Sequence, residues 1–157
     1  MPLDESAALP RIREIIADHQ ALEGPLLPIL HAIQAEFGHV PQSALLEIAQ
    51  ALSLGKAEVH GVMSFYHDFR AAPAGRHVIK ICRAEACQSM GADKLADLLQ
   101  QKLGIGWHET TADGAVTLEP VFCLGLCACA PSALVDGKLV GRLDEETVQQ
   151  IASEVRA

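Results

Sequence analysis

The sequence predicts an α+β protein, an N-terminal helical bundle followed by a small α/β layer. Three observations predict it. Apolar residues recur at helical spacing from residue 7 to residue 69. After the segment AAPAG (Ala71–Gly75) the pattern changes to short apolar runs separated by helical stripes and turn residues. Two of those runs end at a cysteine, and each of these cysteines is followed within a few residues by a second one.

The helical half is read from four stripes. Leu9, Ile12, Ile15 and Ile16 form the first, and Leu26, Leu30, Ile33 and Phe37 the second. Leu45, Ile48, Ala49 and Leu52 form the third, and Val59, Val62, Met63 and Tyr66 the fourth. Gly24-Pro25, Gly38 with Pro41, and Gly55 separate them. Residues 1–72 are therefore expected to be a helical bundle without a catalytic constellation, and residues 76–157 a second domain. In that second part His77–Ile81 reads as a buried strand reaching Cys82. Residues 91–103 read as a helix stopped by Gly104, and Val116–Phe122 as a strand delivering Cys123. Asp136-Gly137 between two apolar segments signals a tight hairpin. Asp144 is placed to cap a last helix, with Glu145 and Glu146 at its positive end. Strand, helix, strand, hairpin and helix in that order suggest a thioredoxin-like layer.

Composition limits the function. Half of the 157 residues are apolar, so the chain can bury a core. Aromatic residues make up only 4%, so aliphatic side chains must fill it. The net charge of −8 argues against a nucleic-acid or anionic-membrane surface, which needs clustered Lys and Arg. No apolar run approaches the roughly 18 residues of a membrane span. The opening MPLDESAALPR lacks the basic and apolar regions of a secretory signal and carries acids early. A reducing cytoplasm is the expected compartment, where clustered cysteines point to metal or catalysis more than to disulfides.

Cys82-x4-Cys87 and Cys123-x3-Cys127 are two pairs, each beginning where a strand is expected to end. If the two strands are parallel neighbours, both loops emerge at one rim of the sheet and the four sulfurs converge. Disulfides within the pairs would close very small loops with little entropic effect. Structural zinc accepts four cysteines, most often in tighter pairs. A [2Fe–2S] cluster also takes four, two on each iron, and tolerates varied spacings. The wider loops favour the cluster, and spacing alone leaves both metals open. Leu124-Gly125-Leu126 supplies apolar cover and a glycine that lets backbone N–H groups turn toward sulfur. Cys129, the fifth, is read as a small packed hydrophobe beside the site.

LLPILHAIQAEFGHVP (Leu26–Pro41), VHGVMSFYHDF (Val59–Phe69), HVIKICRAEACQSMGAD (His77–Asp93) and VFCLGLCACAPSALVDGKLVGRL (Val121–Leu143) carry a resemblance. The chain resembles the thioredoxin-like [2Fe–2S] ferredoxin subunits of respiratory complex I, of NAD-linked hydrogenases and of NAD-dependent formate dehydrogenases. CLGLCACAP and the short N-terminus look closest to the gamma subunit of the formate dehydrogenases. The resemblance implies a helical bundle followed by a thioredoxin-like domain, with Cys82, Cys87, Cys123 and Cys127 ligating a [2Fe–2S] cluster. It also implies a one-electron-transfer subunit rather than an enzyme on its own. The implied partner is a subunit that binds FMN and NAD(H) and holds a [4Fe–4S] cluster. For the formate type, a molybdopterin-containing catalytic subunit is implied as well.

Other residues carry weaker signals. Seven histidines raise the option of two His replacing two Cys, but four thiols are already supplied. Lys80 and Arg83 flank the first loop and would offset cluster charge or be solvated. Trp107 is expected in the core or at an interface, and His67 on the surface or at an interface. A zinc-stapled interaction module and a thiol–disulfide oxidoreductase are the competing classes. The second lacks C-x-x-C. Gly104-Ile105-Gly106 lacks the context of a dinucleotide fingerprint, so nicotinamide and FMN are expected on another chain.

Overall fold

The computed structural model describes residues 5–156. It divides the chain into two compact units, Met1–Pro73 and Ala74–Ala157.

The first unit consists of α1 (Glu5–His19), α2 (Leu26–Phe37), α3 (Gln42–Leu52) and α4 (Lys56–Phe65). Each helix buries the stripe that its spacing marks. Ile12, Ile15 and Ile16 of α1 meet Ile29, Leu30 and Ile33 of α2, Leu45 and Ile48 of α3 and Val59 of α4 in one core. Gly38 ends α2 in the left-handed conformation at φ 75°, its N–H donating to the Gln34 carbonyl. The fourth stripe runs one residue too far. Tyr66 leaves the helical conformation and is exposed, and the chain turns away. Gln34 of α2 clamps the segment that follows. Its Nε2 donates to the Asp68 carbonyl at 2.6 Å, and its Oε1 accepts from the Arg70 N–H at 2.7 Å. His67 is exposed, as expected.

The second unit is built on a five-stranded sheet in the order β2-β3-β1-β4-β5. The strands are β1 (His77–Cys82), β2 (Glu109–Thr110), β3 (Val116–Val121), β4 (Ser132–Val135) and β5 (Lys138–Gly141). β1 and β3 are parallel, with His77 opposite Val116 and Cys82 opposite Val121; the other pairings are antiparallel. Helices α5 (Glu85–Ser89), α6 (Ala92–Leu103) and α7 (Glu145–Glu154) complete the unit. Ile79 and Ile81 of β1, Leu118 of β3, Leu99 of α6 and Val148 of α7 share its core.

Local chemistry explains the connections. Asp136 and Gly137 both take positive φ, 49° and 79°, as the two-residue hairpin between β4 and β5 demands. Asp144 Oδ1 accepts from the Thr147 N–H at 2.8 Å and caps α7. Gly75, read in the sequence as part of a connector, already belongs to this unit. Its N–H donates to Thr117 Oγ1 at 2.7 Å, and a Cβ there would stand 2.9 Å from the Val116 backbone. Two elements carry too few residues for a periodic signal: the short helix α5 and the two-residue strand β2.

Candidate metal centre

The parallel register of β1 and β3 sets the site. Cys82 is the last residue of β1, and Cys123 lies two residues beyond its strand partner Val121, so both ligand loops leave the same rim. Cys82 and Cys87 are each only 2% exposed. With Ala92 they form a small apolar cluster bordered by Ala84, Val121, Leu124 and Ala130. The first loop contains a helical turn: Cys87 sits on α5, where it is buried. The Cys87 Sγ lies 3.5 Å from Ser132 Oγ, itself buried at the start of β4.

The second loop is open. Cys123 and Cys127 are exposed, their sulfurs 3.7 Å apart. That separation is close to the edge of a tetrahedron with a metal–thiolate bond of about 2.3 Å. Cys123 adopts φ 93° and Gly125 φ 77°, and the Gly125 N–H points at Cys123 Sγ from 3.4 Å. Cys127 opens a short 3₁₀ turn that ends at Cys129. The Ala130–Pro131 peptide that follows is cis.

Electrostatics tie the two loops together. Burial raises the Cys82 thiol, but N–H groups of Ala84, Cys123 and Leu124 and the Cys87 thiol outweigh it and bring Cys82 below the ordinary range. Two of those backbone donors come from the second loop. Burial pushes Cys87 up, and the neighbouring Cys82 adds to the shift against the Ser132 hydrogen bond. Cys127 is raised first by its contact with Cys123 and further by the charges of Cys87 and Cys82. Cys87 and Cys127, each raised by neighbouring sulfur, are the thiols whose ionised form a bound cation would favour.

Among the described residues, no three His, Cys, Asp or Glu side chains gather about one point as a single ion requires. The sulfurs form a buried pair and an exposed pair. This donor set fits a two-iron group with two thiolates on each metal. Cys82 and Cys87 would hold one end of it, and Cys123 and Cys127 the other.

Cys129 stands apart. Its Cβ packs where a Cβ on Gly141 would come within 2.9 Å, so Gly141 makes the room for it on β5. Arg83 does not turn to the sulfurs: its guanidinium meets Asp93 at 3.1 Å and lies over the Trp107 ring at 5.3 Å. Lys80 faces Glu119 across the β1–β3 pair at 3.5 Å. Trp107 is half-buried against the core of the second unit. Sequence reasoning missed Ser132 and Gly141. A serine before an alternating strand and a glycine within one carry no signal that names their neighbours.

Residues 12–156 match the family described as thioredoxin-like [2Fe-2S] ferredoxin. The chain belongs to this family. Its fold is accordingly thioredoxin-like, and the family's cofactor is a [2Fe–2S] cluster. The chain is 34% identical over 145 residues to the NADH-quinone oxidoreductase E subunit of Mycobacterium tuberculosis, covering 92% of itself and 58% of that protein. It therefore spans little more than half the length of this relative. It is also 34% identical over 155 residues to the NADP-reducing hydrogenase subunit HndA of Solidesulfovibrio fructosivorans, covering 96% of itself and 91% of HndA. Among solved structures, the NAD+-reducing [NiFe]-hydrogenase in its air-oxidised state superposes with a TM-score of 0.71 at 28% identity. The match covers 83% of this chain and 22% of that one. Among the described residues, no helix is long and apolar enough to cross a membrane.

Proposed function

We propose that this chain is a one-electron-transfer subunit in which Cys82, Cys87, Cys123 and Cys127 ligate a [2Fe–2S] cluster. The observation that carries the reading is the convergence of two cysteine pairs at one rim of the sheet, with the Cys123–Cys127 sulfurs 3.7 Å apart. When bound, the cluster supplies reversible storage of one electron at low potential. The chain's residues determine how that capacity is used. Cys82 and Cys87, with Leu124 and Val121 against them, keep water from the inner end. Backbone N–H groups of Ala84, Cys123, Leu124 and Gly125 point at sulfur and offset negative charge without adding a titratable group. Cys123 and Cys127 hold the outer end at the surface beside Phe122, which is 72% exposed, where a partner can approach.

Full thiolate ligation leaves no position for a substrate, so the subunit acts within a complex. Its partner is read as a subunit that binds FMN and NAD(H) and carries a [4Fe–4S] cluster, and its compartment as the cytoplasm. Residues 76–157 are the electron-carrying domain. Residues 1–72 are the docking domain, presenting exposed Phe65 and Tyr66. The names of the relatives support an NAD(P)-linked host. Within that class we read the host as a soluble formate dehydrogenase with a molybdopterin subunit, on the resemblance of CLGLCACAP. A hydrogenase or complex I host is the second reading, favoured by those same names.

Anaerobic purification tests the cluster. The expected protein is brown, holds iron and sulfide in equal amounts, and gives an EPR signal on reduction. A colourless zinc protein would refute it. Identification of the co-purifying chains, with formate and hydrogen compared as electron donors, tests the host.

A further inference from the structure

The four ligand thiols differ sharply in access. Cys82 and Cys87 are 2% exposed, and Cys87 is held against Ser132 Oγ. Cys123 and Cys127 are exposed, and their sulfurs already touch at 3.7 Å. The link between them, Leu124-Gly125-Leu126, contains a glycine in the left-handed region with nothing within 4 Å of where its Cβ would stand. A disulfide needs sulfurs at about 2.0 Å, and the pair that must close to that distance from 3.7 Å is exposed. Cys129 lies close in sequence, but its Cβ is packed toward Gly141.

From this asymmetry we propose that Cys123 and Cys127 form a reversible disulfide in the cluster-free chain, a thiol switch that closes the site to cluster loading. The inference rests on the reading of these cysteines as ligands. The oxidant is a peroxide. One thiol of the pair attacks the peroxide oxygen, forming a sulfenic acid and releasing water. The second thiol then attacks the sulfenic sulfur; the S–S bond forms, and a second water leaves with the hydroxyl oxygen. Two thiols are oxidised by two electrons, and one hydrogen peroxide is reduced to two waters. A small exposed loop gains little stability from such a bond, so a dithiol reductant reverses it. Cys82 and Cys87 are shielded from the same chemistry, so the buried half of the site stays ready.

The test uses the full chain carrying Cys129→Ala, freed of iron and treated with hydrogen peroxide. Free thiols are alkylated after denaturation and mapped by mass spectrometry, and iron and sulfide uptake is measured before and after dithiothreitol. The expected result is a Cys123–Cys127 disulfide, alkylated Cys82 and Cys87, uptake reduced at least tenfold, and full recovery on reduction. A Cys82–Cys87 or cross-loop disulfide, sulfinic acids alone, or unchanged uptake by the oxidised chain overturns the proposal. Cys127→Ser, kept reduced, separates this failure from failure of the ligand reading. Normal loading by that variant removes the ligand role and the switch with it. Poor loading, combined with no Cys123–Cys127 disulfide in the parent, keeps the ligands and removes the switch.

Discussion

The two cysteine loops solve one problem by different physics. The first is held by packing: a strand end and one turn of helix place Cys82 and Cys87 inside an apolar cluster, where burial and hydrogen bonds fix each sulfur. The second is held by backbone conformation. Cys123 and Gly125 both occupy the left-handed region, and the thiols of Cys123 and Cys127 face solvent. Packing gives the inner pair a defined position whatever is bound. Conformation gives the outer pair freedom, and leaves that pair open to a partner and to oxidants. The difference teaches that the site is half preformed, and that its halves fail in different ways.

The largest expected contrast comes from serine at each end. Cys82→Ser puts a hydroxyl into a site that is 2% exposed, so a polar group is buried even when iron is absent. The iron-free variant is expected to lose about 1–3 kcal/mol in urea unfolding, as for a buried polar group with poor partners. It also loses nearly all iron, because binding energy at such a site is folding energy. Cys127→Ser leaves its hydroxyl in water. It is expected to weaken cluster binding while leaving the unfolding of the iron-free chain unchanged. Equal losses in the two iron-free variants would break the distinction between the loops.

The same contrast governs what the sequence could reveal. The helical unit was legible because the pattern that marks each buried face repeats within a single helix: Ile12, Leu30, Ile48 and Val59 are buried where their spacing places them. The hairpin and the cap were legible because Asp136-Gly137 and Asp144 are chosen for backbone geometry. The sequence posed parallel pairing of the two cysteine-ended runs only as the condition for the sulfurs to converge, and the register of β1 and β3 meets it. What stayed hidden depends on partners far along the chain. Ser132 meets Cys87 across 45 positions, and Gln34 pulls residues 68–70 across 34 or more. Cys123 hides in another way. A positive φ at a residue other than glycine leaves no mark in composition, although it turns N–H groups of one loop toward the sulfur of the other.

A smaller effect isolates the conformational half. Gly125→Val forces a β-branched residue into φ 77°. No neighbour obstructs the added Cβ, and the left-handed backbone contributes a strain of about 1–2 kcal/mol. Strain shifts the Gly125 N–H away from Cys123 Sγ and removes a donor to the thiolate. Reconstitution is expected to need roughly tenfold more iron for half-occupancy, with a lowered reduction potential in the cluster that does form. Unchanged iron affinity and unchanged potential would show that the second loop is fixed by something other than its backbone.

The smallest effect lies away from both loops, at the opposite end of β1. Asp136 Oδ2 meets His77 Nδ1 at 2.7 Å, and its Oδ1 accepts the Val78 N–H at 2.8 Å. Partial burial raises the Asp136 carboxyl, but the His77 and Val78 hydrogen bonds outweigh it and hold the carboxyl below its usual value. A carboxylate depressed on folding stabilises the native state above its unfolded pKa of about 3.9, and that contribution is lost as pH falls through the lower folded value. The group is 40% exposed, so water screens the pair and the effect is well under 1 kcal/mol. Asp136→Asn keeps a residue that tolerates φ 49° in the hairpin, removes the charge, and leaves one acceptor oxygen where the carboxylate has two. The variant is expected to unfold slightly earlier than the parent at pH 7. The gap should close as pH drops below about 4, with iron content equal to the parent's at neutral pH. A gap that persists in acid would mean that the side chain acts through turn geometry or its second acceptor rather than charge. A loss of iron would mean that strain at one end of β1 reaches Cys82 at the other, and that the inner pair is less independent than its packing implies.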